Sequence, residues 1–453
     1  MSDSPAEITE HNSTLDDSHL QNAVELALEE AKSRGATASE AAASLSQGLS
    51  VNVRQGQIET VEHTRDRALV VSVYFGHRTG SASTSDYSPS AVRETVLAAC
   101  SIAKWTEEDP CNGLADPDRL CKAPIDLDLY HPWTPSVDEA RDLALSCEAQ
   151  ALAKDARIVN SEGASVDAHQ GSEVYGNSLG FFGRTRKTRQ GISCSVIGQE
   201  NGSMQRDYWY SSARRFEDLD APEMVGEKTA SRTLRRLGAR RVPTCRVPVL
   251  YEAPVASSLL GHFISAISGG ALYRRASFLL DHLNQKIFPD FVRIHEQPLL
   301  VGAMGSAAFD SEGVATASRD IVSSGVLKGY VLGSYSARRL GLETTGNAGG
   351  VHNLTIDSGT KSLEEMIKDL NTGFLVTELI GFGINSVTGD YSRGAAGLWI
   401  ENGEIAYPVE EVTVAGNLKD IFQNIVAVGN DVDTRKSTRC GSILVEGLTI
   451  AGE

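Results

Sequence analysis

The stretch VNVRQGQIETVEHTRDRALVVSVYFGHRTGSASTSD (51–86) decides the fold class. β-Branched residues alternate with polar ones in 51–61 and 68–83, and the pattern is interrupted at Gln55-Gly56 and at Gly76-His77, which predicts antiparallel hairpins. A helix precedes the stretch. Leu20, Val24, Ala27, Leu28 and Ala31 recur at helical spacing, Ser18 with Gln21 forms a capping-box pattern, and Gly35 marks the end. A second helix follows at Ser88-Pro89, a cap with proline in the first helical position, and it turns Val92, Val96, Ala99 and Ala103 to one face. Helix, several strands, helix is therefore the first structural unit.

A similar order recurs beyond a Pro- and Asp-rich linker at 108–135. Ser136 and Glu139 open a helix running to about Lys154, short Gly-punctuated strands such as GISCSVIG (191–198) follow, and a basic helix near 221–238 closes the unit. No residue-level repeat accompanies this layout. From about Arg246 the chain is richest in β and glycine. Its pieces are the strand VPVLY (247–251), a helix from Pro254 to about Ile267, and a helix capped by Ser362 and Glu365 and ended by Gly373. The hairpin LWIENGEIAYPV (398–409) turns on Asn402-Gly403, a short helix starts at Asn417, and Cys440 introduces the last strand, SILVEGL. The expected class is α+β, with mostly antiparallel sheets and flanking helices in two to three domains, because helices are too sparse for βαβ units. The expected divisions are a disordered amino terminus (1–17), an N-terminal α+β domain (18–125), a second α+β domain (131–240) and a β-rich C-terminal domain (246–453).

The 453 residues carry 42 Lys+Arg against 59 Asp+Glu, a net charge of −17 that repels phosphate backbones and anionic lipid surfaces. Nucleic acid is thus not an expected partner. The basic clusters RTRKTR (184–189) and RRLGARR (235–241) read as solvated faces or ion-pair partners, the second pointing through Leu234 and Leu237 to packing or a subunit contact. The first residues lack a basic n-region and an apolar h-region, and no apolar run reaches bilayer length, so a cytoplasmic protein without membrane association is expected. Seven cysteines without CxxC spacing argue against disulfides or a zinc knuckle. No GxxxxGK[ST] occurs and no nucleophile elbow is read, and GNAGGV (346–351), GFGINS (381–386) and SRGAAG (392–397) read as turn and close-packing glycines.

Among the histidines, His11, His19, His63, His77, His131 and His169 read as surface residues. His262 differs, lying inside the apolar helix PVASSLLGHFISAI (254–267) directly after Gly261.

From this helix onward the chain resembles the PmbA/TldE branch of the TldD/PmbA family. The stretches that carry the resemblance are GHFISAISGGALYRRASFLLD (261–281), AAFDSEGVAT (307–316), SYSARRLGL (334–342), GGVHN (349–353), TGDYSRGAAGLWIENGEIAYPVEEVTVAGNLKDI (388–421) and GNDVDTRKSTRCGSILV (429–445). Residues 51–86 resemble the family's first domain, so the likeness covers about 20–453. It implies a heteromeric metalloprotease in which TldD-like and PmbA-like subunits enclose a chamber that cleaves unfolded peptides. In the TldD branch, zinc is held by two histidines of an HExxxH helix and a cysteine near the carboxy terminus. Aligning the Gly-His pair puts the first histidine position at Ser257, the glutamate at Ser258 and the second histidine at His262; the cysteine matches Cys440.

Zinc hydrolysis needs an open metal position to polarise the carbonyl and a carboxylate to take a proton from water. Here His262 and Cys440 remain as metal positions, while Ser257 and Ser258 replace a ligand and the base. Losing a general base costs about 10²–10⁴ in rate. Asp310, Glu312, Glu378 and His352 are the side chains left to supply the missing groups from other strands. The expectation is a chamber subunit with no cofactor of its own. Its zinc-bearing TldD-like partner completes a heterodimer that takes up unfolded peptide by pairing with an exposed strand edge, and a homodimer is the assembly expected of the chain alone. The competing readings are a zinc peptidase with an atypical ligand set and a regulatory binding protein of the gyrase-modulator type.

Overall fold

The computed structural model describes residues 17–452. The disordered start expected through residue 17 lies outside these residues except for Asp17, which is instead buried at 3% exposure. Asp17 takes the N-cap position of α1 (Ser18–Ser33) that Ser18 was expected to fill. Its carboxylate accepts the Arg186 guanidinium at 2.5 and 2.7 Å and the Ser172 hydroxyl at 2.6 Å. A long-range tie has replaced the local cap.

The hairpins form where the alternation breaks. β1 (Ala38–Arg54), β2 (Gln57–Phe75) and β3 (Arg78–Thr84) are joined by tight turns, with Gln55 and Gly56 both at positive φ, and α2 (Pro89–Trp105) follows with the Ser88 side chain as its cap. The second unit repeats the order as α3 (Val137–Ala153), β4 (Ile158–Asn177), β5 (Phe182–Glu200), β6 (Ser203–Ala213) and α4 (Pro222–Leu234). The Ser136/Glu139 capping box is present in full. The strands are longer than the glycine punctuation suggests, because Gly191 and Gly198 stay paired to neighbours on both sides and do not interrupt the ladder.

The two units share one antiparallel six-stranded sheet in the order β3-β2-β1-β4-β5-β6, joined at its centre by β1 and β4. Ala41, Ala43 and Leu45 pack with α1 and α2, and Leu49, Val51 and Val53 pack with α3 and α4. These positions share one face of β1, so all four helices cover the same side of the sheet. A methyl group on Gly226 of α4 would stand 2.1 Å from the Cys147 carbonyl of α3, which shows how closely these two helices approach. The opposite face is polar: Ser50 bonds Asp167 at 2.6 Å, and Ser165 meets Ser193 at 2.9 Å.

The third region starts with β7 (Cys245–Tyr251), α5 (Ala253–Ala266) and α6 (Gly269–Tyr273). A small sheet then combines β8 (Ile294–Glu296), β9 (Arg319–Ser323) and β10 (Val326–Leu327), with α7 (Ser334–Leu340) and β11 (Leu354–Ile356) next in the chain. α8 (Leu363–Lys368) has the expected Ser362/Glu365 box but ends before Gly373, which lies in β12 (Thr372–Ile380), where a methyl group would approach the Pro248 carbonyl at 3.2 Å. β13 (Asp390–Glu401) and β14 (Glu404–Asn417) form the hairpin on Asn402-Gly403, and α9 (Leu418–Gln423) is capped by Asn417. β15 (Ile425–Val428), β16 (Thr438–Arg439) and β17 (Ile443–Ala451) complete the chain.

β14 bonds β13 on one side and β17 on the other, so β14, β13, β12, β7 and β17 close on themselves around an apolar core. Pairing is antiparallel except for β7 with β12 and β11 with β16. Gly397 belongs to this packing, since a methyl group there would meet the Leu375 carbonyl at 1.9 Å. The class is α+β with mostly antiparallel sheets. Among the described residues, no helix is long and apolar enough to cross a membrane.

The Arg186 hydrogen bond holds the Asp17 carboxyl down at about 2, from an ordinary 3.8. A depressed carboxylate stabilises the fold above its unfolded pKa and loses that contribution as pH falls through the folded value. Asp17→Asn should therefore cost about 1–2 kcal/mol at neutral pH, after allowance for the partly exposed arginine. In urea titrations, its difference from wild type should shrink between pH 4 and pH 2.

Candidate functional site

α5 is placed by charge. Glu252 stands at its N-cap position, 7% exposed, and accepts Arg232 at 2.8 Å and Arg235 at 3.0 Å, so α4 grips the start of the motif helix. Burial alone would raise the Glu252 pKa, but Arg235 and Arg232 overcome it and hold the carboxyl below its ordinary value. Asp207 of β6 faces Arg232 at 3.4 Å and Arg236 at 3.8 Å, and Arg236 reaches Glu378 of β12 at 2.6 Å. The RRLGARR cluster is accordingly an internal fastening: Arg235 and Arg236 join this network, Arg240 lies over the Tyr407 ring and Arg241 pairs with Glu411.

Between β6, α5, β12 and β13 this network leaves a cavity of about 320 Å³. Ser257 and Ser258 line it, with Tyr210, Glu378, Arg393 and Lys436 among the other walls. Ser257 bonds back to the Pro254 carbonyl at 3.1 Å, whereas the buried Ser258 Oγ has no hydrogen-bond partner. The Tyr210 wall is shared with a further cavity of about 330 Å³ over Asp167, His169, Arg189 and Ser193, on the polar face of the sheet.

His262, one turn beyond Ser258, has a buried Nε2 without a partner and lies edge-on to Tyr391, with ring centroids 6.0 Å apart. Burial, with Arg393 nearby, lowers its pKa, which favours the neutral ring. Cys440 is fully buried in the core against which Leu259 and Phe263 pack, and its thiol donates to the Gly441 carbonyl at 2.9 Å. Burial pushes this thiol pKa well up.

The other candidate donors are used elsewhere. Glu378 does line the cavity but is engaged by Arg236. Asp310 and His352 line a different cleft, where the Asp310 carboxylate accepts the backbone N–H groups of Glu312, Val314 and Ala348. Glu312 accepts from the Ser334 backbone at 2.9 Å. Among the described residues no three His, Cys, Asp or Glu side chains converge as a ligand set. The groups around α5 are thus a buried thiol in an apolar core, an imidazole with an unpartnered Nε2 and two serines, with Arg393 and Lys436 beside them.

Sequence reasoning missed Arg393 and Lys436. Arg393 lies in SRGAAG, which showed itself through its glycines, and Lys436 lies four residues before Cys440. Neither position carries a local pattern that marks it.

Three models described as PmbA/TldA metallopeptidase domains match the chain in order: domain 1 at 40–103, the central domain at 130–237 and the C-terminal domain at 244–452. The chain is 50% identical to Metalloprotease PmbA of Escherichia coli O157:H7, over 96% of each protein. It is 46% identical to the Metalloprotease PmbA homolog of Haemophilus influenzae, over 99% of each. A crystal structure from Bacteroides thetaiotaomicron, named for modulation of DNA gyrase, superimposes with a TM-score of 0.91 at 32% identity, covering 96% of this chain and 99% of that one. TldE from Thermococcus kodakarensis, at 20% identity, shares the fold with a TM-score of 0.82 over 96% of this chain and 100% of its own.

Two outcomes test this site. Glu252→Gln leaves Arg232 and Arg235 facing a neutral group and should cost about 3–5 kcal/mol in urea unfolding. Replacing both His262 and Cys440 by alanine should lower stability by about 2 kcal/mol while leaving the zinc content of the purified chain unchanged by elemental analysis.

Proposed function

The chain belongs to the PmbA/TldD metallopeptidase family, and on that membership we propose that it is the non-catalytic subunit of a TldD/TldE-type cytoplasmic protease complex. It forms one wall of a chamber in which unfolded peptides are degraded or processed, and a TldD-like partner in the heterodimer holds the zinc.

One observation carries this reading. The motif helix turns Ser257 and Ser258, not a ligand and a base, toward a cavity whose other walls include Arg393 and Lys436. A serine hydroxyl is not a base near neutral pH, and an arginine takes no proton. What this chain's residues can do is bind and orient. The polar sheet face that continues from Tyr210 supplies hydroxyls and mixed charges to an extended substrate without demanding one sequence.

The test is zinc content and hydrolysis of an unfolded peptide by this chain alone, by a TldD-like partner alone and by their mixture. Expected are well under one zinc per chain here and no turnover, with cleavage in the mixture faster by a factor on the order of 10² or more than with this chain alone. One tightly held zinc and full activity from this chain by itself would overturn the reading.

A further inference from the structure

The cavity beside Ser258 lacks a counter-ion. The Arg393 Nε is buried without an acceptor, and among the described residues its guanidinium makes no ion pair. Among the described residues, Lys436, on the same cavity, donates only to the Pro254 carbonyl at 3.2 Å; burial lowers its pKa, and the nearby Asp433 carboxylate works to keep it charged. The carboxylates in the walls already face other cations: Glu378 is bonded by Arg236 at 2.6 Å, and Asp207 stands 3.4 Å from Arg232 and 3.8 Å from Arg236, with no hydrogen bond to its Oδ2. The Ser258 Oγ adds a buried hydroxyl with no partner. Two unpaired cations and an idle hydroxyl around one space of about 320 Å³ are the complement of an anion.

We propose that this cavity binds a peptide carboxylate, with Arg393 as the forked donor, Lys436 as the second charge and Ser258 as a neutral donor. The inference rests on the peptide-handling reading above and gives it a recognition element. A guanidinium matches a carboxylate through two parallel N–H···O bonds, a geometry that ammonium groups do not offer. The net charge of −17 disfavours a polyphosphate chain as the occupant. A peptide also has an adjoining polar space in which to continue, because Tyr210 lines both this cavity and the second one along the polar face, over Ser193 and Arg189. Either a terminal carboxylate or an acidic side chain presents the required chemistry. The position that would hold a proton-accepting glutamate in a zinc peptidase is thus part of a site that receives a carboxylate from the substrate.

The experiment measures binding of three fluorescent unfolded peptides to the full chain: a free acid without acidic side chains, its carboxamide twin, and a carboxamide carrying one internal glutamate. Expected is binding about tenfold or more tighter for the free acid, the glutamate peptide or both than for the neutral twin. Arg393→Gln should erase the difference while the far-ultraviolet circular dichroism is retained, and Lys436→Met should reduce it, which keeps the test open if the first variant does not fold. The free acid alone gaining affinity identifies the chain terminus as the source, and the glutamate peptide alone identifies the side chain. Acetate should compete with the tight-binding peptide, and inorganic phosphate competing better than acetate would overturn the carboxylate assignment. Equal affinity for all three peptides would overturn the proposal and leave the peptide-handling reading intact. No peptide binding, together with no cleavage by the mixture with the partner, would remove that reading as well.

Discussion

The buried ion network of Arg232, Arg235 and Arg236 with Asp207, Glu252 and Glu378 is the constraint on which the site depends. It joins the last helix and edge strand of the shared sheet to the first helix and a central strand of the closed C-terminal sheet. Charges at this depth gain only if every member keeps a partner, so the network specifies one relative placement of these elements. That placement sets the cavity beside α5, its wall of serines and the two cations left outside the pairing.

The shared sheet contributes the second part of the arrangement. Four helices cover one of its faces, packed closely enough that α3 and α4 meet at Gly226, and the other face keeps short polar side chains. A sheet needs only one apolar face to stay folded when helices cover it, so the free face can carry other chemistry. Here Tyr210 lines both a cavity on this face and the cavity beside α5.

Packing sets the state of the two motif positions that keep a histidine and a cysteine. Cys440 sits in the apolar core as a protonated thiol, and His262 rests against Tyr391 with its Nε2 unpartnered. Both are tolerated as neutral buried groups. Ser257 and Ser258 complete a site whose surplus charge is positive.

Local features were legible in the sequence. The turns at Gln55-Gly56 and Asn402-Gly403 and the caps at Ser88, Ser136, Ser362 and Asn417 are each set by a few neighbouring residues. Other features depended on partners distant in the chain. Asp17 became an anchor because Arg186 lies 169 positions away, Gly373 went into a strand because β7 runs beside it, and two units merged into one sheet because β1 pairs with β4. Arg393 and Lys436 gained meaning only when folding gave every nearby carboxylate another cation and left these two without one. The sequence by itself determined the local elements and put serine at positions 257 and 258 of α5, because turn and cap chemistry act over a few residues. Tertiary structure alone decided which charges remained unpaired, because pairing depends on distances in space.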